Sequence, residues 1–258
     1  MIGRRQKIGL ATILGVLLLW YVVTTATGLI GGGRFPSPAD FWASFLQVNT
    51  RGYAGSVLVN HAIHSLNLVI MGFTVAICTG VPLGLWMGWN RKVEAAINPV
   101  FLIIRPIPPL AWIPLAILWL GLGGAAKIMV IWFSAFVPAV INAFAGVRNI
   151  DRPVLEAAHM LGTPRWRLVR EVIVPASLPM IFTGLRLSLQ ASWTTLVAAE
   201  LVGALMGIGF VLNMAQQDIY PGMILVGMVT VGLLGWSTTY LLGTVERRAL
   251  AWNVAARD

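Results

Sequence analysis

Charge is scarce in this chain: only 10% of its 258 residues are Asp, Glu, Lys or Arg, nine of them acidic against eighteen basic. Hydrophobic residues make up 58% and the mean hydropathy is +0.82, so too little polar surface is left to clothe a water-soluble domain of this length. Cysteine is nearly absent. Cys78 stands alone inside an apolar run, which excludes an intramolecular disulfide and a Cys-based metal site; the expectation for it is a small hydrophobe buried in packing. His61 and His64 could suggest a metal pair, but no third ligand of suitable type lies near them, so no metal is expected and interfacial anchoring is their expected role. A Gly-rich nucleotide loop ending in Lys-Ser or Lys-Thr is missing, as is any His, Cys or Asp constellation suited to an enzyme. No catalytic residue and no cofactor are expected in this chain.

What the chain has instead is a succession of apolar runs near 8–30, 62–89, 98–121, 126–147, 179–205 and 222–245, each long enough, at about twenty residues, to cross a hydrocarbon layer. The expectation is an all-α polytopic membrane protein of about six transmembrane helices, a single domain over 1–258. The net charge of +9 does not point to nucleic acid, because the basic residues sit at the ends of apolar runs rather than massed with aromatics. Arg4, Arg5 and Lys7 precede a first run longer than the roughly 7–15-residue core of a signal peptide, which reads as a retained anchor. A cytoplasmic N-terminus places Arg91, Lys92, five arginines between 148 and 170, Arg247, Arg248 and Arg257 on the cytoplasmic side, against Arg34, Arg51 and Lys127 outside. That asymmetry predicts a multi-pass protein with both termini cytoplasmic. The breaker cluster Gly31–Pro38 and the aromatics Trp42, Phe45 and Tyr53 predict an external connector with a short interfacial helix. Gly80, Gly84 and Gly88 in the second run, and Gly222, Gly227, Gly232 and Gly235 in the last, predict close helix packing.

Between two apolar runs lies a polar, Arg-rich island, 148–179, containing Glu156-Ala157-Ala158-His159-Met160-Leu161-Gly162 and then Val172-Ile173-Val174-Pro175. Pro153 can open a short helix there, the Ala pair supports it, and Gly162-Thr163-Pro164 ends it. This pattern resembles the EAA loop of ABC importer permeases. Three further stretches, Arg105-Pro106-Ile107-Pro108-Pro109-Leu110-Ala111-Trp112-Ile113-Pro114, Gly146-Val147-Arg148, and Gly184-Leu185-Arg186 continuing to Leu196-Val197-Ala198-Ala199-Glu200-Leu201, are similar to the nitrate, sulfonate and taurine branch, most of all its taurine permeases.

The resemblance implies a type I ABC importer permease fold with a cytoplasmic coupling helix, in a bacterial inner membrane. It implies a homodimer working with two cytoplasmic ATPase subunits, which bind ATP and Mg, and a periplasmic or lipid-anchored binding protein. Transport would proceed by alternating access. Glu156, Ala157, Ala158, His159, Leu161, Gly162 and Arg165 would dock the ATPase, the small Ala pair allowing close approach and Gly162 the sharp exit. A small sulfonate, taurine foremost, is the implied substrate, with nitrate, bicarbonate, alkanesulfonates, aromatic acids and thiamine-precursor pyrimidines as alternatives. A stand-alone secondary transporter would instead favour an internal repeat or a set of buried carboxylates.

Residue spacing adds pathway candidates. Arg186, Gln190, Trp193, Val197 and Glu200 fall on one helical face. A charge within a span costs about 2.5–3.5 kcal/mol on the insertion scale, so this face should look inward, toward the pathway or the dimer seam. Arg186 and Glu200 stand roughly 21 Å apart along the helix and cannot pair directly. A structural bond to the cytoplasmic loop stands beside substrate contact for Arg186; a partner such as Arg34 or Lys127 stands beside a pathway role for Glu200. Arg105 adjoins prolines that force an irregular helix start, and Trp112, seven residues on, could bound a cavity or stack on an ammonium group.

Overall fold

Prolines and glycines punctuate the apolar runs, and the computed structural model shows where they interrupt helices and where they only bring them together. It describes residues 4–27 and 35–252. The Gly31–Gly33 cluster, Arg34 and Arg257 lie outside these residues. The described residues form helices and short turns and contain no strand beyond an isolated Tyr53–Ser56 bridge. The helices are α1 (Arg4–Tyr21), extended by a π-helical turn over Val22–Ala26, α2 (Pro38–Thr50), α3 (Leu58–Trp89), α4 (Arg91–Ile104), α5 (Ile113–Leu120), α6 (Gly124–Arg148) and α7 (Arg152–Met160). After them come α8 (Arg165–Arg167), α9 (Val174–Gly203), α10 (Ile208–Gln217) and α11 (Pro221–Ala249).

Among the described residues five helical runs are long and apolar enough to span a membrane: Ile8–Ala26, Leu58–Trp89, Gly124–Arg148, Arg165–Gly203 and Pro221–Ala249. A sixth candidate is the pair Arg91–Ile104 and Pro109–Leu120, bent by 83° at the break between them, which is a broken span or a re-entrant loop. The sequence pattern suggested one run over 98–121. Pro106, Pro108 and Pro109 remove three backbone donors in four residues, so the helix cannot pass through them and restarts in a 3₁₀ turn over Pro109–Trp112. The polar island is also more helical than its composition suggests. From Arg165 the chain passes through a π-helical turn, Leu168–Ile173, directly into α9.

Two compact units can be distinguished, Met1–His64 with Leu205–Gly232, and Ser65–Ala204 with Leu233–Asp258; α3 and α11 contribute residues to both. In the second, α6 is the central helix, with Ile131, Ala135 and Ala143 wholly buried. The glycines of α3 lie along it. A Cβ built at Gly72 would stand 2.5 Å from Ile131 Cγ2, at Gly80 3.0 Å from Ala139 Cβ, at Gly84 2.8 Å from Ala143 Cβ, and at Gly88 2.6 Å from Val147 Cβ. The positions ascend together, so the two helices run parallel with no room for a side chain between them. On its other side α6 meets α9 in antiparallel fashion. Ser188 Oγ donates to Ala135 O at 2.6 Å, Thr195 Oγ1 donates to Ser134 Oγ at 2.8 Å, and Ser134 Oγ donates to Ala191 O at 3.3 Å. Small residues and cross-helix hydroxyls are what packing in lipid favours, where apolar burial alone gives no preference for a helix partner.

In the first unit α2 opens with a capping box. Ser37 Oγ accepts from Asp40 N–H at 3.2 Å while the Asp40 carboxylate accepts from Ser37 N–H at 2.9 Å. Hydrogen bonds from the Ser37 side chain and backbone hold the Asp40 carboxyl below its ordinary range. Val48, Leu58, Val211, Ala215, Met223 and Val226 form the core. A polar group closes it. Tyr53 OH donates to Asp218 Oδ2 at 2.5 Å and Tyr220 OH donates to Gln47 Oε1 at 3.0 Å. His61 belongs to this group and not to a membrane surface. It is 0% exposed, its Nδ1 accepts from Gly207 N–H at 3.1 Å, and its Nε2 lies 3.1 Å from Tyr53 O. Its two ring nitrogens are thereby both occupied by backbone, which corrects the interfacial role expected for it. Gly222 is pressed against Ser44 and Gly227 against Leu212, whereas a Cβ at Gly232 would meet nothing within 4 Å.

Two outcomes follow. Gly84→Leu should destabilise the protein by about 1–3 kcal/mol or prevent its assembly, because the contact it overfills is a backbone carbonyl and a Cβ; Gly232→Ala should shift stability by less than about 0.5 kcal/mol. Thermal unfolding in detergent compares them. Burial, and then the Asp218 carboxylate, push the Tyr53 hydroxyl's ionisation well above its ordinary range. A group whose folded pKa is raised contributes stability that is present below its unfolded pKa and lost as pH rises toward the folded one. Tyr53→Phe should therefore cost about 1 kcal/mol near neutrality and flatten the fall in stability above about pH 10, read from unfolding curves across pH.

Candidate functional site

The short helix α7 stands outside the candidate spans, and its ends are set by local chemistry. Asp151 is the residue before its first turn, Pro153 lies inside that turn where its missing N–H costs nothing, and Gly162 takes φ +67° just beyond its end. Gly162 N–H donates to His159 O at 3.0 Å and Thr163 N–H to Ala158 O at 3.2 Å, satisfying carbonyls the helix would otherwise leave open. The Ala pair faces two ways. Ala158 is buried with Val147, Leu168 and Ile173, whereas Ala157 is exposed beside Glu156 and His159. His159 Nδ1 lies 2.8 Å from Leu155 O, and Arg165 is exposed. Met160 and Leu161 are 89% and 84% exposed, an apolar tip that this chain alone leaves in solvent.

Arg186, Gln190 and Trp193 are brought together. With Thr194, Gly235 and Thr239 they line a cleft of about 250 Å³ between α9 and the later part of α11. Arg186 is half exposed and forms an ion pair with Glu246, whose own side chain is largely buried. Trp193 is 6% exposed and its Nε1 donates to Thr238 Oγ1 at 3.1 Å. The cleft thus presents a guanidinium paired with Glu246, one amide and hydroxyls beside an indole.

Glu200 does not line this cleft although it shares the helical face. It is 1% exposed and accepts from Ser65 Oγ at 2.8 and 3.1 Å. Arg105 is the exposed residue that closes α4 at the proline break, rather than the opening of a span. Trp112 stacks on Phe133 with ring centroids 4.4 Å apart, and its Nε1 is buried without a hydrogen-bond partner. Sequence reasoning did not single out Glu246, Thr238 or Thr239 as partners of the Arg186 face. They lie more than forty residues away, and the only signal was Glu246 beside two arginines at the end of an apolar run. Among the described residues no group of three His, Cys, Asp or Glu side chains is placed to hold a metal ion.

Comparison with known proteins places these features in a family. Residues 80–250 match the model for binding-protein-dependent transport system inner membrane components. The taurine transport system permease protein TauC of Escherichia coli is 31% identical over 98% of this chain and 92% of its own length. The bicarbonate transport system permease protein CmpB of Synechococcus elongatus is 34% identical over 90% of this chain and 86% of its own. The putative aliphatic sulfonates transport permease protein SsuC of Bacillus subtilis is 30% identical over 92% and 84%. A chain of the MetNI methionine ABC transporter, solved in inward-facing conformations, superposes with a TM-score of 0.66 at 19% identity, over 74% of this chain and 95% of that one. The chain is a multi-pass membrane protein of the binding-protein-dependent transport system inner-membrane component family, the permease subunits of ABC importers.

Proposed function

We propose that this permease carries a small sulfonate, taurine foremost, into a bacterial cell. It works as a homodimer with two cytoplasmic ATPase subunits and an extracytoplasmic binding protein. The observation that carries the coupling is α7, a helix built outside the spans with Met160 and Leu161 bare at its tip. Glu156, Ala157, His159, Leu161, Gly162 and Arg165 offer the ATPase a mixed polar and apolar surface, while Ala158 anchors the helix to the permease. ATP and Mg bind in the ATPase and supply the energy. This chain converts α7 movement into rearrangement of its spans, alternately exposing a pathway to either side.

Arg186, Gln190 and Trp193 are the pathway residues this reading favours, with Arg105 and Trp112 near the proline break as further contacts; Glu200 serves as a buried structural acceptor for Ser65. The excess of basic residues at the ends of spans beside α7 supports a cytoplasmic position for that face and for both termini. The taurine reading draws on TauC and SsuC. The bicarbonate permease CmpB is similar to a comparable degree, 34% identical over 90% of this chain against 31% over 98% for TauC, and bicarbonate is therefore the second reading. A single guanidinium suits either anion, but the indole of Trp193 beside it favours a solute with an aliphatic arm.

Glu156→Lys and Met160→Asp should leave the permease folded yet abolish co-purification of its ATPase and cut ATP-dependent uptake of labelled taurine in proteoliposomes by more than about tenfold, a loss of only 1.4 kcal/mol of coupling. Undiminished uptake in both variants would contradict docking through α7. Excess unlabelled bicarbonate abolishing taurine uptake, with bicarbonate itself accumulating, would replace the substrate assignment.

A further inference from the structure

A second cleft, of about 340 Å³, lies in the Ser65–Ala204 part of the molecule and is lined by Trp89, Arg91, Val147, Arg148, Arg152 and Ile173 among others. It has no part in the pathway described above. Three guanidiniums converge on it, Arg91 from the start of α4 and Arg148 and Arg152, four residues apart, from the end of α6 and the start of α7. Arg148 is engaged on one side by the Glu94 carboxylate and lies over the Phe144 ring, 5.5 Å from its centroid. Among the described residues neither Arg91 nor Arg152 forms an ion pair, although Asp151 and Glu156 are close in sequence to Arg152. The charge left over is positive, and its floor of Val147 and Ile173 is apolar.

The position of the cleft identifies what would occupy it. The membrane-length helices α3 and α6 end at Trp89 and Arg148, and both of these residues line it. The cleft therefore opens at the depth of the lipid headgroups, with an indole at the level that Trp favours. Arginine forks pair with phosphate oxygens through two parallel N–H bonds, and a phosphodiester with its glycerol stub matches a cationic rim over an apolar floor. An additional ammonium group would be repelled by Arg91 and Arg152, the two arginines of the cleft without an ion pair among the described residues. We propose that this cleft binds the phosphodiester headgroup of an anionic membrane phospholipid, held by Arg91 and Arg152, with Arg148 oriented by Glu94. Because Arg152 opens α7, an occupied site tethers the base of that helix to the ends of α3 and α6.

The test is thermal unfolding of the full chain in a neutral detergent during titration with short-chain phosphatidylglycerol, short-chain phosphatidylcholine or inorganic phosphate. Phosphatidylglycerol should raise the midpoint saturably, phosphatidylcholine and phosphate should not, and Arg91→Gln with Arg152→Gln should remove the response. The charge-matched change Arg247→Gln with Arg248→Gln, at the end of α11, should keep it. An equal rise with phosphatidylcholine, the whole rise with phosphate alone, or a rise that survives in the Arg91/Arg152 variant would overturn the assignment. If that variant does not fold, intact-mass measurement of the wild-type chain decides: one retained phosphatidylglycerol that phosphatidylcholine cannot displace supports the site, and retention without preference overturns it.

Discussion

The contact of α3 on α6, cleared of side chains at Gly72, Gly80, Gly84 and Gly88, is the constraint on which the Ser65–Ala204 region depends. Lipid tails solvate a leucine as well as another helix does, so helices in a membrane associate where backbones can come close and hydroxyls can reach across. A glycine every four or eight residues provides the first condition on one side of α6. Ser134, Ser188 and Thr195 provide the second on the other side, toward α9. Three long helices are thereby held in fixed register, which a lipid-facing apolar stripe could not achieve.

That register has consequences at the helix ends. With α6 held along its length, Val147 is delivered to the small apolar cluster that receives Ala158, Leu168 and Ile173, and this cluster seats α7. The same helix end places Arg148 against Glu94. A short helix outside the spans has too few residues to be stable alone; here its position is borrowed from the buried helix before it and from the long helix after it. The packing that seats α7 thus joins it to α6 and to the segment leading into α9, the helix that also carries Arg186, Gln190 and Trp193.

Much of this was legible in the residues. The apolar runs announce membrane helices, and the stops of α7 are written in Pro153 and Gly162, whose backbone preferences act locally. The glycines of α3 announce close packing, though not which helix they meet. Other features depend on distant partners. Periodicity put Glu200 on the face of Arg186, yet burial and Ser65 remove it from the cleft, since a helical face does not reveal what packs against each turn. His61 looked like a surface anchor because its local sequence is polar, and its burial comes from Gly207, far along the chain. The triple-proline segment signalled irregular backbone, but only the structure shows the 83° turn it produces. Ala157 and Ala158 look alike in sequence and differ in role, because one points toward Val147 and the other away.

The central claim is that this permease moves solute only when a separate ATPase acts on it and a binding protein delivers the solute. The direct measurement is accumulation of labelled taurine in proteoliposomes containing this chain, its cognate ATPase and its binding protein, with each component omitted in turn. The account predicts saturable, ATP-dependent accumulation with all three and none when any is left out. Accumulation by this chain alone, driven by an ion gradient, would contradict it.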